Sequence, residues 1–495
     1  MAIEDQRPDA DAPSAVMLAI RNGLKLGASL VFTWGIALGI RLLLPRYLGP
    51  VRFGALNFAD GFTAAFFIAL NLGADAYVRK EVSVRPRHAS DFFGGVFVLR
   101  VALSALVVAA MLVVLRATGR PEELQTVVLL YGLTQFFVTA NATLSALLHA
   151  KGRVGAMSVL AVATKIVWAG GILGAMATGA GLWAYACAYL ASESVETVVL
   201  YALARGHLGL RFRVDRAATW AMLVASLPYF LNIFAYTAYG KLDVSLLEFL
   251  GNTREVGWYG AASAVAGLTL LVTPLIGWVL TPMFARAASR SSAELDEGIR
   301  RSLELIMTVA IPASLLITLG ADFWIHVIFG AAFAPAAAAL RVLAMMFVLT
   351  YVAMIYAQAI VMLERPWVLT SISIAGLFVN IGLNLALIRF SMDRFGLGGG
   401  GLGCALAMMG TEVFVTTCML AFLGRRAFDR RSSVTIAKSL AACVVAWGVH
   451  RALASIGPLR LVADGAVYLL LVLATGALRL RDMTSLVKDA LRRRR

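Results

Sequence analysis

The apolar residues of this chain run in blocks rather than alternating with polar ones, and fourteen such blocks follow one another almost end to end. They cover 18–43, 54–73, 92–115, 124–148, 155–176, 181–203, 218–249, 257–285, 302–320, 336–362, 367–388, 398–424, 434–453 and 459–478. A helix crosses a bilayer core with roughly 20 apolar residues, because each rises about 1.5 Å. Lipid offers no partner for a bare N–H or C=O, so blocks of this length are predicted to be α-helices, which satisfy their own backbones. The pattern predicts an all-α integral membrane protein with about 14 transmembrane helices. Pro228, Pro274 and Pro312 fall inside the seventh, eighth and ninth blocks. A proline there frees a carbonyl and bends the rod, either as a static packing kink or as a point about which helices rock.

Composition agrees with the pattern. Hydrophobic residues make up 60% of the chain and charged residues 15%, against roughly 45–50% and 25% in soluble chains; mean hydropathy is +0.82. The net charge of +16 would suit nucleic acid were it spread evenly, but it is sorted by loop. With loops assigned alternately to the two sides, 27 basic residues fall on one side and 9 on the other. The positive-inside rule then places the rich side, and both termini, in the cytoplasm of a multi-pass protein. The longest loops, near 74–91, 204–217 and 286–301, are all on that side, so no large outer domain is expected. Residues 1–15 lack the basic start of a secretory signal and are expected to form a disordered cytoplasmic tail. Residues 481–495 are expected to lie as a basic cytoplasmic tail on anionic headgroups.

The chain repeats itself. Leu48-Gly49 followed by Phe53-Gly54 and Ala59 has a counterpart in Leu250-Gly251 followed by Val256-Gly257 and Ala261, with one residue of slippage. The two copies follow the first and seventh blocks, so an even number of spans separates them and both halves keep one orientation, as in parallel duplications of transporters. Two six-helix lobes with parallel pseudo-symmetry are expected at 16–215 and 216–426, followed by an extra transmembrane helix pair at 427–480.

Charges inside the blocks carry the candidate chemistry. An ionisable group at the bilayer centre costs about 2.5–3.5 kcal/mol on insertion scales, so several together imply a lined interior. Arg41, Arg100, Lys165, Lys241 and Arg341 are candidates for a basic, substrate-binding cavity wall. Asp60, Glu193, Glu196, Asp243 and Glu412 are candidates for ion coupling. Each has a plainer reading: Lys165 can pair with Glu193 or Glu196 on the next helix, and Arg41, Lys241 and Arg341 can snorkel to the outer interface. A wall rich in cations suits an anionic cargo.

Other chemistry is not indicated. Cys187, Cys404, Cys418 and Cys443 all fall within blocks and imply no disulfide framework, and the five histidines lack metal-ligand spacing. The Gly396–Gly403 run looks like a phosphate loop, but no Lys-Ser/Thr follows it, and it reads as a closely packed helix start. With no catalytic dyad or nucleotide site, the chain is read as a secondary transporter rather than an enzyme, needing no cofactor, metal or nucleic acid.

Four motifs carry a resemblance: Arg46–Gly54 after the first block, Lys241-Leu-Asp243 in the seventh, Val256–Ala262 opening the eighth and Asn380–Leu385 in the eleventh. In order and placement they resemble the polysaccharide transporter family, the Wzx-like O-antigen and exopolysaccharide flippases of the multidrug/oligosaccharidyl-lipid/polysaccharide (MOP) exporter superfamily. The resemblance implies translocation of a polyprenyl-diphosphate-linked oligosaccharide, an O-antigen, exopolysaccharide or capsule repeat unit, across the bacterial inner membrane. Alternating access of the lobes would be driven by H+ or Na+ or by the membrane potential. Membrane lipids, a polysaccharide polymerase and chain-length machinery are the implied partners. The alternatives are a cation-coupled multidrug antiporter of the same superfamily, which calls for an acid-dominated cavity, a lipid II flippase, and a membrane enzyme of polysaccharide assembly, which the short outer loops disfavour.

Overall fold

A computed structural model describes residues 15–71, 89–150, 154–209, 212–427 and 429–476. The tail up to Ser14, most of the 74–91 loop and the basic tail 481–495 lie outside the described residues.

All regular structure among the described residues is helical. The helices are α1 Ala15–Phe67, α2 Ala89–Ala117, α3 Glu122–Ala150, α4 Val154–Ala177, α5 Leu182–Leu208, α6 Arg216–Leu250, α7 Thr253–Ala266 and α8 Thr273–Arg290. There follow α9 Ser292–Leu319, α10 Ala321–Phe329, α11 Ala336–Met362, α12 Pro366–Phe395, α13 Gly399–Leu423, α14 Arg430–Ala452 and α15 Arg460–Ala474. Ten stretches among the described residues are long and apolar enough to cross a membrane, and a bent pair, Ala310–Leu319 with Ala321–Phe329, makes an eleventh. Their outward faces are greasy: Leu106 is 65%, Phe378 70% and Val462 72% exposed, which suits a surface turned to lipid rather than water.

The boundaries differ from the apolar blocks in four places, one of them α10, which falls between the ninth and tenth blocks. The first two blocks join in α1, which is interrupted only at Gly49, where φ is 72° and ψ 172°. Glycine reaches that backbone region without a Cβ penalty, and Pro50 restarts the helix from a position that needs no N–H. The eighth block is broken by a 3-10 segment, Gly267–Val272, between α7 and α8. The 286–301 loop is corrected to helix along most of its length, because α8 continues to Arg290 and α9 begins at Ser292. The Ser291 hydroxyl caps α9 by accepting from the Glu294 N–H at 3.1 Å, so the helix can start on polar sequence outside the apolar block.

The chain divides into two compact units. One holds the described parts of Met1–Arg41 and Ala69–Leu227, around a core of Val96, Leu144, Leu147, Leu148, Leu160, Leu200, Ala204 and Met222. Its helix α2 is tied to α3 by Arg100, which is 3% exposed. The guanidinium donates to the Leu70 carbonyl at 3.0 Å and, across to α3, to the Thr139 carbonyl at 2.8 Å and the Thr143 hydroxyl.

The other unit holds the described parts of Leu42–Ile68 and Pro228–Arg495. Helix α11 runs through its core, with Leu340, Ala344, Ile355, Ala359 and Ile360 wholly inaccessible. Helices α12 and α13 touch backbone to backbone: a Cβ on Gly399 would stand 2.3 Å from the Ser391 carbonyl oxygen, and one on Gly403 2.5 Å from that of Leu387. Small residues allow this approach, which substitutes for the hydrophobic drive that lipid does not supply. The duplicated motif meets itself here as well. A Cβ on Gly54 would lie 1.9 Å from the Thr253 carbonyl oxygen, and one on Gly257 1.9 Å from that of Pro50. Each copy thus presents its glycine to the backbone of the other, the reciprocal contact of a two-fold interface. Through it Leu42–Ile68 groups with the second unit, although chain order places it in the first expected lobe.

Candidate functional site

In the first unit, polar side chains of α3, α4 and α5 converge. Glu193 and Glu196 are three residues apart on α5 and share a face. The Asn141 amide donates to Glu193 Oε2 at 3.0 Å and to the Glu193 carbonyl at 3.1 Å, while its own oxygen accepts from Thr197 at 2.6 Å. Thr164 donates to Glu196 Oε2 at 3.2 Å, and Ser192 to the Thr164 carbonyl at 2.8 Å. Lys165 is half-buried beside them, within electrostatic reach of both glutamates and of Arg41. Its ammonium sits 4.6 Å from the centre of the Trp168 ring, and it closes no direct ion pair among the described residues. Arg41 is exposed. Two cations and two carboxylates, none fully sealed, form a group whose partners can be exchanged for a ligand or an ion.

The second unit holds a different arrangement around Asp243, which is 1% exposed. Asn384 donates to Asp243 Oδ1 at 2.9 Å and Tyr259 to Oδ2 at 3.3 Å. Asn384 also donates to the side-chain oxygen of Asn380 at 3.1 Å, and Asn380 to the Thr411 hydroxyl at 3.3 Å. Asn380, Asn384 and Thr411 are wholly inaccessible, so α6, α7, α12 and α13 are joined by one buried polar chain. Beside it the Gly396–Gly403 run does bind an anion, but an internal one. The Glu255 carboxylate accepts from the Gly398 N–H at 2.8 Å and the Gly401 N–H at 3.1 Å, occupying the free amides of the α13 start.

The remaining candidates stand apart. Lys241, half-buried two residues before Asp243, makes no ion pair among the described residues. Arg341 pairs with Asp322, both well exposed at 42% and 71% of the side chain. Asp60 is half-buried, its carbonyl accepting from Thr63 at 3.2 Å. Glu412, 4% exposed, takes a hydrogen bond from Thr350 on the wall of a cavity of about 260 Å³. Arg100 donates to carbonyls and to the Thr143 hydroxyl of its own unit.

The family described as "Polysaccharide biosynthesis protein" matches residues 43–338. The chain belongs to that family. The stretch shared with the polysaccharide biosynthesis proteins includes both copies of the duplicated motif, the Glu193–Glu196 face and Asp243, while Asn380, Asn384 and Glu412 lie beyond it. The "Probable low-salt glycan biosynthesis flippase Agl15" of Haloferax volcanii is 22% identical over 394 residues, covering 78% of this chain and 80% of the relative. Among solved structures, a lipid II flippase, MurJ, in an inward closed conformation superposes with a TM-score of 0.73 at 12% identity, over 94% of this chain and all of that one. An inward-facing multidrug resistance MATE family transporter of the MOP superfamily gives 0.65 at 15% identity, over 80% of this chain and 94% of that one. These likenesses show the fold shared with both.

Asn141, Glu255, Tyr259, Asn380 and Asn384 were not among the candidates read from charge. Asn380 and Asn384 had a signal: two amides four apart lie on one helix face, and in an apolar block a neutral polar pair needs partners much as a charge does. Asn141 and Glu255 had none, since their partners are far away in the chain.

Proposed function

We propose that the protein is a flippase carrying a lipid-linked oligosaccharide across the cytoplasmic membrane, multi-pass with about 14 spans and both termini cytoplasmic. Family membership supports polysaccharide biosynthesis, and the relative from Haloferax volcanii is named a glycan flippase. The observation that carries the reading is the group of half-buried Lys165, Glu193 and Glu196 with the exposed Arg41 in electrostatic reach of Lys165. A polar, anionic headgroup cannot cross hydrocarbon unaided, and cations on helix faces inside the membrane can receive it while its lipid tail stays in the bilayer. The two glutamates exchange a proton or a sodium ion as the cations take or release the headgroup. One charge moving down a membrane potential supplies about 2.3 kcal/mol per 100 mV, enough to bias such a cycle. Rocking of two six-helix lobes provides access from each side in turn, with the C-terminal helix pair flanking them. Catalysis is no part of this reading.

The test is reconstitution. Purified protein in liposomes is supplied with a polyprenyl-diphosphate oligosaccharide, and the fraction open to an external sugar-modifying reagent is followed with and without an imposed H+ or Na+ gradient. Gradient-dependent transfer supports the reading. Transfer of lipid II alone, or of organic cations alone, moves the assignment to the respective alternative.

A further inference from the structure

The cavity beside Glu412 has the wrong chemistry for an anionic headgroup. Its described lining residues all belong to the second unit, on α6, α8, α11, α12 and α13, around a volume of about 260 Å³. Leu280, Met354, Val361 and Leu369 supply an apolar wall, and no basic residue lines it among the described residues. Its described polar groups are oxygens for the most part: the Glu412 carboxylate, the hydroxyls of Tyr239, Thr350 and Ser373, and the amide of Gln358. The Gln358 nitrogen donates to Thr281 at 3.2 Å, so the side-chain oxygen is the end left to accept. Glu412 is 96% withdrawn from solvent at 4% exposure, and a carboxylate so placed must be neutralised by a proton or a cation. A proton needs no cavity of this size.

We infer that this cavity is a binding site for a monovalent, amphipathic organic cation. The ammonium head is held by Glu412 with help from Thr350 and the Gln358 oxygen, and the apolar body lies along Leu280, Met354, Val361 and Leu369. The volume is near the lower end of small-molecule pockets, which start at roughly 300 Å³, and so favours a cation with a single ring. The site is separate in composition from the Lys165–Glu193–Glu196 group, and it stands whether or not the cargo there is a lipid-linked glycan.

The probe is phenyltrimethylammonium, compared with tert-butylbenzene, which has the same shape and no charge. Binding to the full-length protein in nanodiscs is measured by equilibrium dialysis. The cation is expected to bind saturably and about tenfold or more tighter than the neutral isostere, the worth of one charge-assisted contact. Glu412→Gln is expected to erase that preference, and Ala357→Trp, which fills the cavity and keeps the carboxylate, to abolish binding of both. Equal affinity of the two probes, no binding of either, or an unchanged preference in Glu412→Gln would overturn the inference. If Glu412→Gln fails to fold, the wild-type comparison of cation against isostere decides alone.

Discussion

The two units treat buried carboxylates in opposite ways. In the first, Glu193 and Glu196 are half-buried, each holding a side chain from a neighbouring helix, with Lys165 and Arg41 nearby but not locked onto them. In the second, Asp243 is sealed and each of its oxygens is taken, by Asn384 and by Tyr259. A group that must bind and release a ligand cannot also be saturated by its own protein, whereas a group that holds four helices together must be. Similar charges inside one membrane fold can thus serve exchange in one place and assembly in another.

The contrast is sharpest in stability. Asp243→Ala leaves the Tyr259 hydroxyl and the Asn384 amide buried without their acceptor, and is expected to destabilise the protein by about 3 kcal/mol. Thermal unfolding in detergent reads this directly; an unchanged midpoint would show that the network does not hold α6 to α12. Gly54→Ala and Gly257→Ala come next, since the new Cβ meets backbone at 1.9 Å in both cases and backbone cannot turn aside. A loss of about 1–3 kcal/mol each is expected from overpacking, and a double variant no worse than either single one would confirm that the two glycines share one contact.

Glu193→Gln and Glu196→Gln should behave in reverse. Half-exposed groups with exchangeable partners are expected to alter stability by less than about 1 kcal/mol, yet gradient-driven flipping in liposomes should fall to background. Arg41→Ala with Lys165→Met should also stop flipping while leaving the protein inserted and abundant, as judged by quantitative blotting of membranes. Full transport in that double variant would remove the cationic group from the mechanism. The smallest effect belongs to Arg341→Ala: an exposed pair with Asp322 contributes about 0–1 kcal/mol, and both stability and transport should be close to wild type.

Much of the architecture was legible in one dimension. The apolar blocks marked the helices because lipid excludes unpaired backbone, and that constraint acts locally on each segment. The limits of the reading show in α9, whose start was hidden by the polar residues before the ninth block and revealed by the Ser291 cap. The Glu193–Glu196 face was legible for a related reason, since helical periodicity alone puts residues three apart together. A pair between Lys165 and these glutamates was one of its readings; the lysine lies near them, but over Trp168, a choice governed by side-chain orientation rather than spacing. The glycine-rich run was read as a close-packed helix start, and its backbone contacts are those of one, yet the carboxylate on its amides comes from Glu255, far earlier in the chain.

By itself the sequence determined the class of molecule, the place of nearly every helix, the duplicated motif and the set of charges that interrupt the apolar blocks. Those follow from transfer energies and from periods of a few residues, which need no partner to be read. Tertiary structure alone decided which charges are sealed and which remain exchangeable: Asp243 against Asn384, Arg100 against the carbonyls of Leu70 and Thr139, Glu255 against the start of α13, Glu412 on a cavity wall. Each of those outcomes depends on a partner brought by another helix, and the free energy of a buried polar group is set by that partner.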